Sequence, residues 1–102
     1  MTIQEQYENL EKTVRGYNPA ADFQHIRAAF EFAAEAHKDQ KRKSGEPYII
    51  HPLAVAQIVA EELRLDSESI EAALLHDVIE DTAATHEQVS KLFSPTIADL
   101  VE

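Results

Sequence analysis

His76 and Asp77 are neighbours in the sequence, and their side chains offer an imidazole nitrogen and a carboxylate oxygen, both ligands for a divalent cation. They stand inside the run Ile70-Glu71-Ala72-Ala73-Leu74-Leu75-His76-Asp77-Val78-Ile79-Glu80-Asp81, whose apolar residues fall on every side of a helix. A helix apolar all round is buried by its neighbours. Burying an ionised carboxylate is costly unless it is paired or holds a metal. Asp77, Glu80 and Asp81 near a helix C-terminus also oppose the helix dipole, which favours cations there. Local rules fail here in one place, and such places tend to be functional. The spacing therefore predicts a buried helix that carries a metal site.

By itself the dipeptide is a weak signal, because neighbouring His and Asp also occur as buried hydrogen-bonded pairs. On one continuous helix their side chains diverge by about 100°, so both reach an ion only if it sits between them, against the helix side. His51 is the natural third ligand, held at a helix start just before Pro52. Such a set suits manganese, iron or zinc better than calcium. Glu80 lies one turn beyond His76 and Asp81 one turn beyond Asp77, so each acid shares a helix face with a candidate ligand. There they are placed to orient an attacking water or to move a proton. His25 and His86 read as surface or capping residues, and His37 as a satisfied core histidine. Lys38, Lys41, Arg42 and Lys43 gather four of the nine basic residues into a candidate anion-binding loop, where Arg42 could also stack on a base.

These residues need elements to hold them. Thr2 and Glu5 form a capping box ahead of Ile3, Tyr7, Leu10 and Val14, with Gly16 and Asn18-Pro19 ending that helix. A second helix is expected from Ala20 to Lys38, turning Phe23, Ile26, Phe30, Ala33 and His37 to one face. After the basic loop and its Ser44-Gly45-Glu46-Pro47 turn, Tyr48-Ile49-Ile50 reads as a short extended piece. Pro52 opens a third helix with Leu53, Ala56, Val59, Ala60 and Leu63 inward, and Asp66 or Ser67 caps the central one. Thr85 and Gln88 cap a short helix bearing Val89, Leu92 and Phe93, and Ser94-Pro95 restarts the chain. The pattern is all-α, a bundle of five to six short helices in one domain.

The 102 residues, 44% of them hydrophobic, suffice for one modest core. A formal charge of −10 argues against general nucleic-acid binding. No apolar run is long enough to cross a membrane, so no membrane partner is expected. The chain has no cysteine, which excludes disulfides and thiolate metal sites and fits a reducing, cytoplasmic compartment.

The run Gln40-Lys41-Arg42-Lys43-Ser44-Gly45-Glu46-Pro47-Tyr48-Ile49-Ile50-His51-Pro52-Leu53, then Val55-Ala56, then Ala72 through Thr82, closely resembles the hydrolase domain of the RelA/SpoT alarmone enzymes, members of the HD superfamily. The likeness extends from about Ala33 onward, and the two motifs together are highly specific. The resemblance implies an HD-domain-like bundle that hydrolyses the 3′-pyrophosphate of guanosine tetra- or pentaphosphate. It further implies that His51, His76 and Asp77 bind Mn²⁺ or another divalent transition metal. Glu80 and Asp81 would be the catalytic acids, and Arg42, Lys43 and Ser44 would contact the guanine nucleotide.

In that family the domain continues beyond this length, and an aspartate on a later helix completes the metal site. Residues 1–102 are thus expected to be an N-terminal part of such a domain, with weakened metal binding and turnover. Self-association through uncovered apolar faces is also expected. The alternative is a non-catalytic helical interaction or regulatory module derived from the same domain.

Overall fold

Side-chain caps decide where the helices begin. The Glu5 amide donates to Thr2 Oγ1 at 3.1 Å while Glu5 Oε1 accepts from the Thr2 amide at 2.9 Å, starting α1 (Ile3–Tyr17). The His25 amide donates to Asp22 Oδ1 at 3.0 Å at the head of α2 (Phe23–Ala36). Asp66 Oδ1 accepts from the Ser69 amide at 2.9 Å ahead of α4 (Ser67–Leu75). Between them runs α3 (Ile50–Ile58), continued by a π-helical turn over Val59–Leu63. The chain ends with α5 (Val78–Asp81), α6 (His86–Leu92) behind the Thr85–Gln88 capping box, and α7 (Pro95–Val101), where Ser94 Oγ accepts from the Ile97 amide at 3.0 Å. This computed structural model describes residues 2–41, 43–82 and 84–101, the side chains of Glu80, Asp81 and Val101 excepted. The architecture is all-α, as expected; an isolated bridge between Lys41 and Pro47 closes the basic loop.

The core forms around α4, which packs against α2, α3 and α7. Ile70, Leu74 and Leu75 are fully buried there, facing Ile26, Ala29 and Ala33 of α2 and Leu53 and Ala56 of α3 in one cluster. Tyr7 of α1 stacks on Phe30 with ring centroids 4.4 Å apart; Arg27 reaches Glu11 at 3.0 Å across the α1–α2 seam, and Arg15, one turn along α1, shares the same carboxylate at 3.2 Å. The molecule is a flattened body of 33 × 33 × 20 Å. Among the described residues no helix is long and apolar enough to cross a membrane.

Three expectations need correction. The central helix is not continuous: α4 stops at Leu75, and Asp77, at φ −101° and ψ −2°, sits in the sparsely populated bridge region before α5 begins. Tyr48-Ile49-Ile50 is not extended, because the Ile50 amide donates to Pro47 O and the His51 amide to Tyr48 O, so α3 starts at Ile50 rather than Pro52. Leu63 points outward, 62% exposed, since the π turn adds a residue to the helical repeat and so rotates the later side chains by about 100°. Helix α1, by contrast, stops where its sequence places the stop: it passes Gly16 to end at Tyr17, and Asn18 caps it by donating its amide to Val14 O at 2.7 Å.

Candidate metal centre

Two helix ends bring the candidate ligands together. His51 lies in the first turn of α3, while His76 and Asp77 form the joint between α4 and α5. One ligand atom from each of the three side chains lies within 4.8 Å of the others. His76 Nε2 is 3.1 Å from Asp77 Oδ2, and His51 Nε2 is 3.6 Å from the same oxygen. The two imidazole rings meet edge to face with centroids 5.3 Å apart. All three side chains are partly buried, Asp77 most deeply at 18% exposure.

The hydrogen bonds around this group decide what it can do. His76 Nδ1 lies 2.7 Å from the Ala73 carbonyl, which can only accept, so Nδ1 carries the hydrogen. In a neutral imidazole this leaves the Nε2 lone pair aimed at Asp77. The lone pair of His76 Nε2 and those of the Asp77 carboxylate, brought together beside a ring nitrogen of His51, repel unless a cation stands among them. Two histidines and one carboxylate are the donor set of divalent transition-metal sites, and a backbone carbonyl orienting a histidine ring is the usual outer support of such a ligand. The residues present fit a divalent metal ion.

The other candidates lie around this group or away from it. Lys43 and Ser44 are exposed and line an open groove with Lys41, Glu46 and Tyr48, beside the metal group. Gly45 turns that loop with φ +89°, a conformation L side chains rarely adopt. Arg42 lies outside the described residues, and the backbone of Glu80 and Asp81 is in α5 while their side chains are not among those described. His86 is a surface residue paired with Asp99 at 3.1 Å, and His25 is half-exposed beside Asp22. His37 is buried as expected but only half satisfied: Nδ1 meets Gln40 Oε1 at 2.7 Å, whereas Nε2 has no partner among the described residues.

Tyr48 also contributes to the site, although its sequence context suggests only a short extended piece. Its hydroxyl donates to Asp77 Oδ2 at 2.8 Å. A phenol three positions before a candidate metal-ligating histidine is the signal that could have marked it.

Comparison with known proteins identifies the family of the chain. The HD domain family matches residues 29–102. The bifunctional (p)ppGpp synthase/hydrolase SpoT of Escherichia coli K12 is 49% identical over 96 residues, 94% of this chain and 14% of that protein. The guanosine-3′,5′-bis(diphosphate) 3′-pyrophosphohydrolase of Aquifex aeolicus is 53% identical over 95 residues, 93% of this chain and 13% of that protein. A solved structure of a metazoan ortholog of SpoT, described as hydrolysing ppGpp, is similar with a TM-score of 0.72 and 39% identity, over 76% of this chain and 45% of that one. The chain spans about one seventh of the length of the curated relatives it matches. With a helical fold, a His/Asp group at a helix joint and this agreement over most of its residues, the chain belongs to the HD domain family, where its relatives are the RelA/SpoT-type (p)ppGpp hydrolases.

Proposed function

We propose that His51, His76 and Asp77 hold a Mn²⁺ ion and that residues 1–102 are the metal-binding part of a domain that hydrolyses guanosine tetra- and pentaphosphate. The observation that carries this is the convergence of His51 Nε2 and His76 Nε2 on Asp77 Oδ2. A divalent ion there supplies a Lewis acid for phosphoryl oxygens. The reaction adds water across the bond between the ribose 3′ oxygen and the pyrophosphate, releasing pyrophosphate and leaving GDP or GTP. Lys43 and Ser44, with Arg42, bind the nucleotide at the groove beside Tyr48, and Glu80 and Asp81 handle the proton of the attacking water.

Metal titration and pyrophosphate release from guanosine tetraphosphate test this reading. With His51, His76 and Asp77 as the proposed ligands, weak Mn²⁺ binding and little turnover are expected of the 102 residues alone. A longer chain bearing the same residues should release pyrophosphate, and Asp77→Ala or Glu80→Ala in it should abolish the activity. No metal binding above that of Asp77→Ala would overturn the assignment and favour a non-catalytic helical module. Rapid Mn²⁺-dependent turnover by the 102 residues would overturn the claim that they are insufficient.

A further inference from the structure

We propose that Tyr48 is a positioning residue for the metal centre, setting the rotation of the Asp77 carboxylate, and that His37 and Gln40 hold Tyr48 in place for it. The inference rests on the reading of His51, His76 and Asp77 as metal ligands. Asp77 precedes α5 without capping it, so no backbone amide of that helix fixes its carboxylate. The Tyr48 hydroxyl does so instead, donating at 2.8 Å to the oxygen that faces both imidazoles. A carboxylate oxygen has two lone-pair directions, so this bond leaves one of them for an ion.

The position of Tyr48 is itself over-determined. Its amide donates to the Gln40 carbonyl at 3.1 Å. Its ring lies against the imidazole of His37, with centroids 4.6 Å apart and planes tilted by 31°. It also meets the His51 ring edge on, with centroids 5.9 Å apart. His37 is 2% exposed and is pinned by Gln40, whose side chain takes Nδ1 and whose amide donates to the His37 carbonyl at 2.9 Å. Leaving His37 Nε2 buried without a partner among the described residues is unfavourable. A flat ring held at this angle behind Tyr48 accounts for keeping a histidine there. Gln40, His37 and Tyr48 thus form a buttress from the C-terminal end of α2 to the joint between α4 and α5. The same Tyr48 borders the groove of Lys43 and Ser44, so the buttress sets loop and metal centre relative to each other.

Tyr48→Phe tests this, because it keeps the ring against His37 and removes only the hydroxyl. Mn²⁺ affinity by calorimetry, the visible spectrum of the Co²⁺-loaded protein and the metal-free melting temperature are compared for wild type, Tyr48→Phe and Asp77→Ala. Loss of a group that orients a metal ligand typically weakens affinity by about 10–100-fold, and this is expected of Tyr48→Phe, with a shifted Co²⁺ spectrum and a near-native metal-free melt. A wild type that binds metal while Tyr48→Phe binds equally well with an unchanged spectrum overturns this inference alone. Tyr48→Phe that fails to fold makes Tyr48 a structural tether and overturns it too. A wild type no better than Asp77→Ala overturns the ligand assignment, and this inference with it.

Discussion

His76 Nε2 faces Asp77 Oδ2 across 3.1 Å, although the two residues are consecutive. On an uninterrupted helix their side chains would diverge by about 100°. They meet because the helix is interrupted between Leu75 and Val78, and Asp77 takes a bridge-region conformation that turns its carboxylate back towards the preceding imidazole. The break is held from both sides, by Leu75 and Val78, which are fully buried.

With both imidazoles neutral, this arrangement opposes stability until a cation is present. Asp77→Asn replaces one converging oxygen by an amide that can donate to His76 Nε2. The same exchange takes away the acceptor of the Tyr48 hydroxyl, so gain and loss offset and the metal-free protein should lie within about 0.5–1.5 kcal/mol of wild type, the net worth of one hydrogen bond. Metal should no longer raise its melting temperature. A clear loss of metal-free stability in Asp77→Asn would show that the lone-pair account of the site is wrong.

A second strained group lies away from the site. Glu71 is 1% exposed in the α2–α4 interface; its Oε1 has no hydrogen-bond partner among the described residues and is 3.8 Å from His25 Nδ1. Burial first, then the charges of Asp22, Glu68 and Asp66, push its carboxyl up from 4.5 to about 7. The raised folded-state value means that between these two limits the folded protein holds more protons than the unfolded chain. Stability must then fall as pH rises through that window, by at most about 1.4 kcal/mol per unit, and level off above it. Glu71→Gln should remove this slope and melt later than wild type at pH 8. Urea melts at pH 5 and pH 8 check it, and an unchanged pH dependence in Glu71→Gln would refute the account.

How much of the molecule is legible in its sequence depends on the range of the forces involved. The boxes at Thr2–Glu5 and Thr85–Gln88 join residues three apart, and the periodic burial of Tyr7, Leu10 and Val14 needs only the helical repeat. His51, His76 and Asp77 can be named from residue type and motif, and the structure brings them together. The break at His76-Asp77 has no glycine or proline to announce it, and neither has the π turn at Val59–Leu63. The roles of Tyr48 and Glu71 are hidden for the same reason: a phenol bonded across 29 positions and a carboxylate sealed under α2 are set by tertiary packing.

The helix that leads into the site depends on one cap. Asp66 accepts from the Ser69 amide at 2.9 Å, and this bond together with the Ser69 side chain holds its carboxyl below the ordinary 3.8. A lowered value means that the contribution is present above the unfolded pKa and is lost as pH falls through the folded one, well away from the Glu71 window. Asp66→Ala should cost about 0.5–2 kcal/mol at pH 7, and Asp66→Asn much less. Equal losses in the two variants at pH 7 would mean that charge, rather than the cap bond, does the stabilising.

Exposed leucines give the last prediction. Leu63, Leu65 and Leu100 are 62%, 39% and 58% exposed, and Leu65 and Leu100 line an open groove with Val59, Ala72, Ala73 and His76. Single exposed leucines are ordinary, but neighbouring ones along a groove mark a surface suited to association. The net charge of −10 works against two copies meeting. That repulsion is screened over about 8 Å at physiological ionic strength and about 3 Å at 1 M salt, whereas apolar burial is not weakened by salt. Self-association should therefore appear at high micromolar concentration and strengthen as salt is added, the opposite of what a charge-driven contact would do. Leu65→Glu or Leu100→Glu should suppress it. Sedimentation of wild type across a salt series decides the matter: a monomer at every salt concentration, or dimers that dissolve as salt rises, would rule out this groove as the contact.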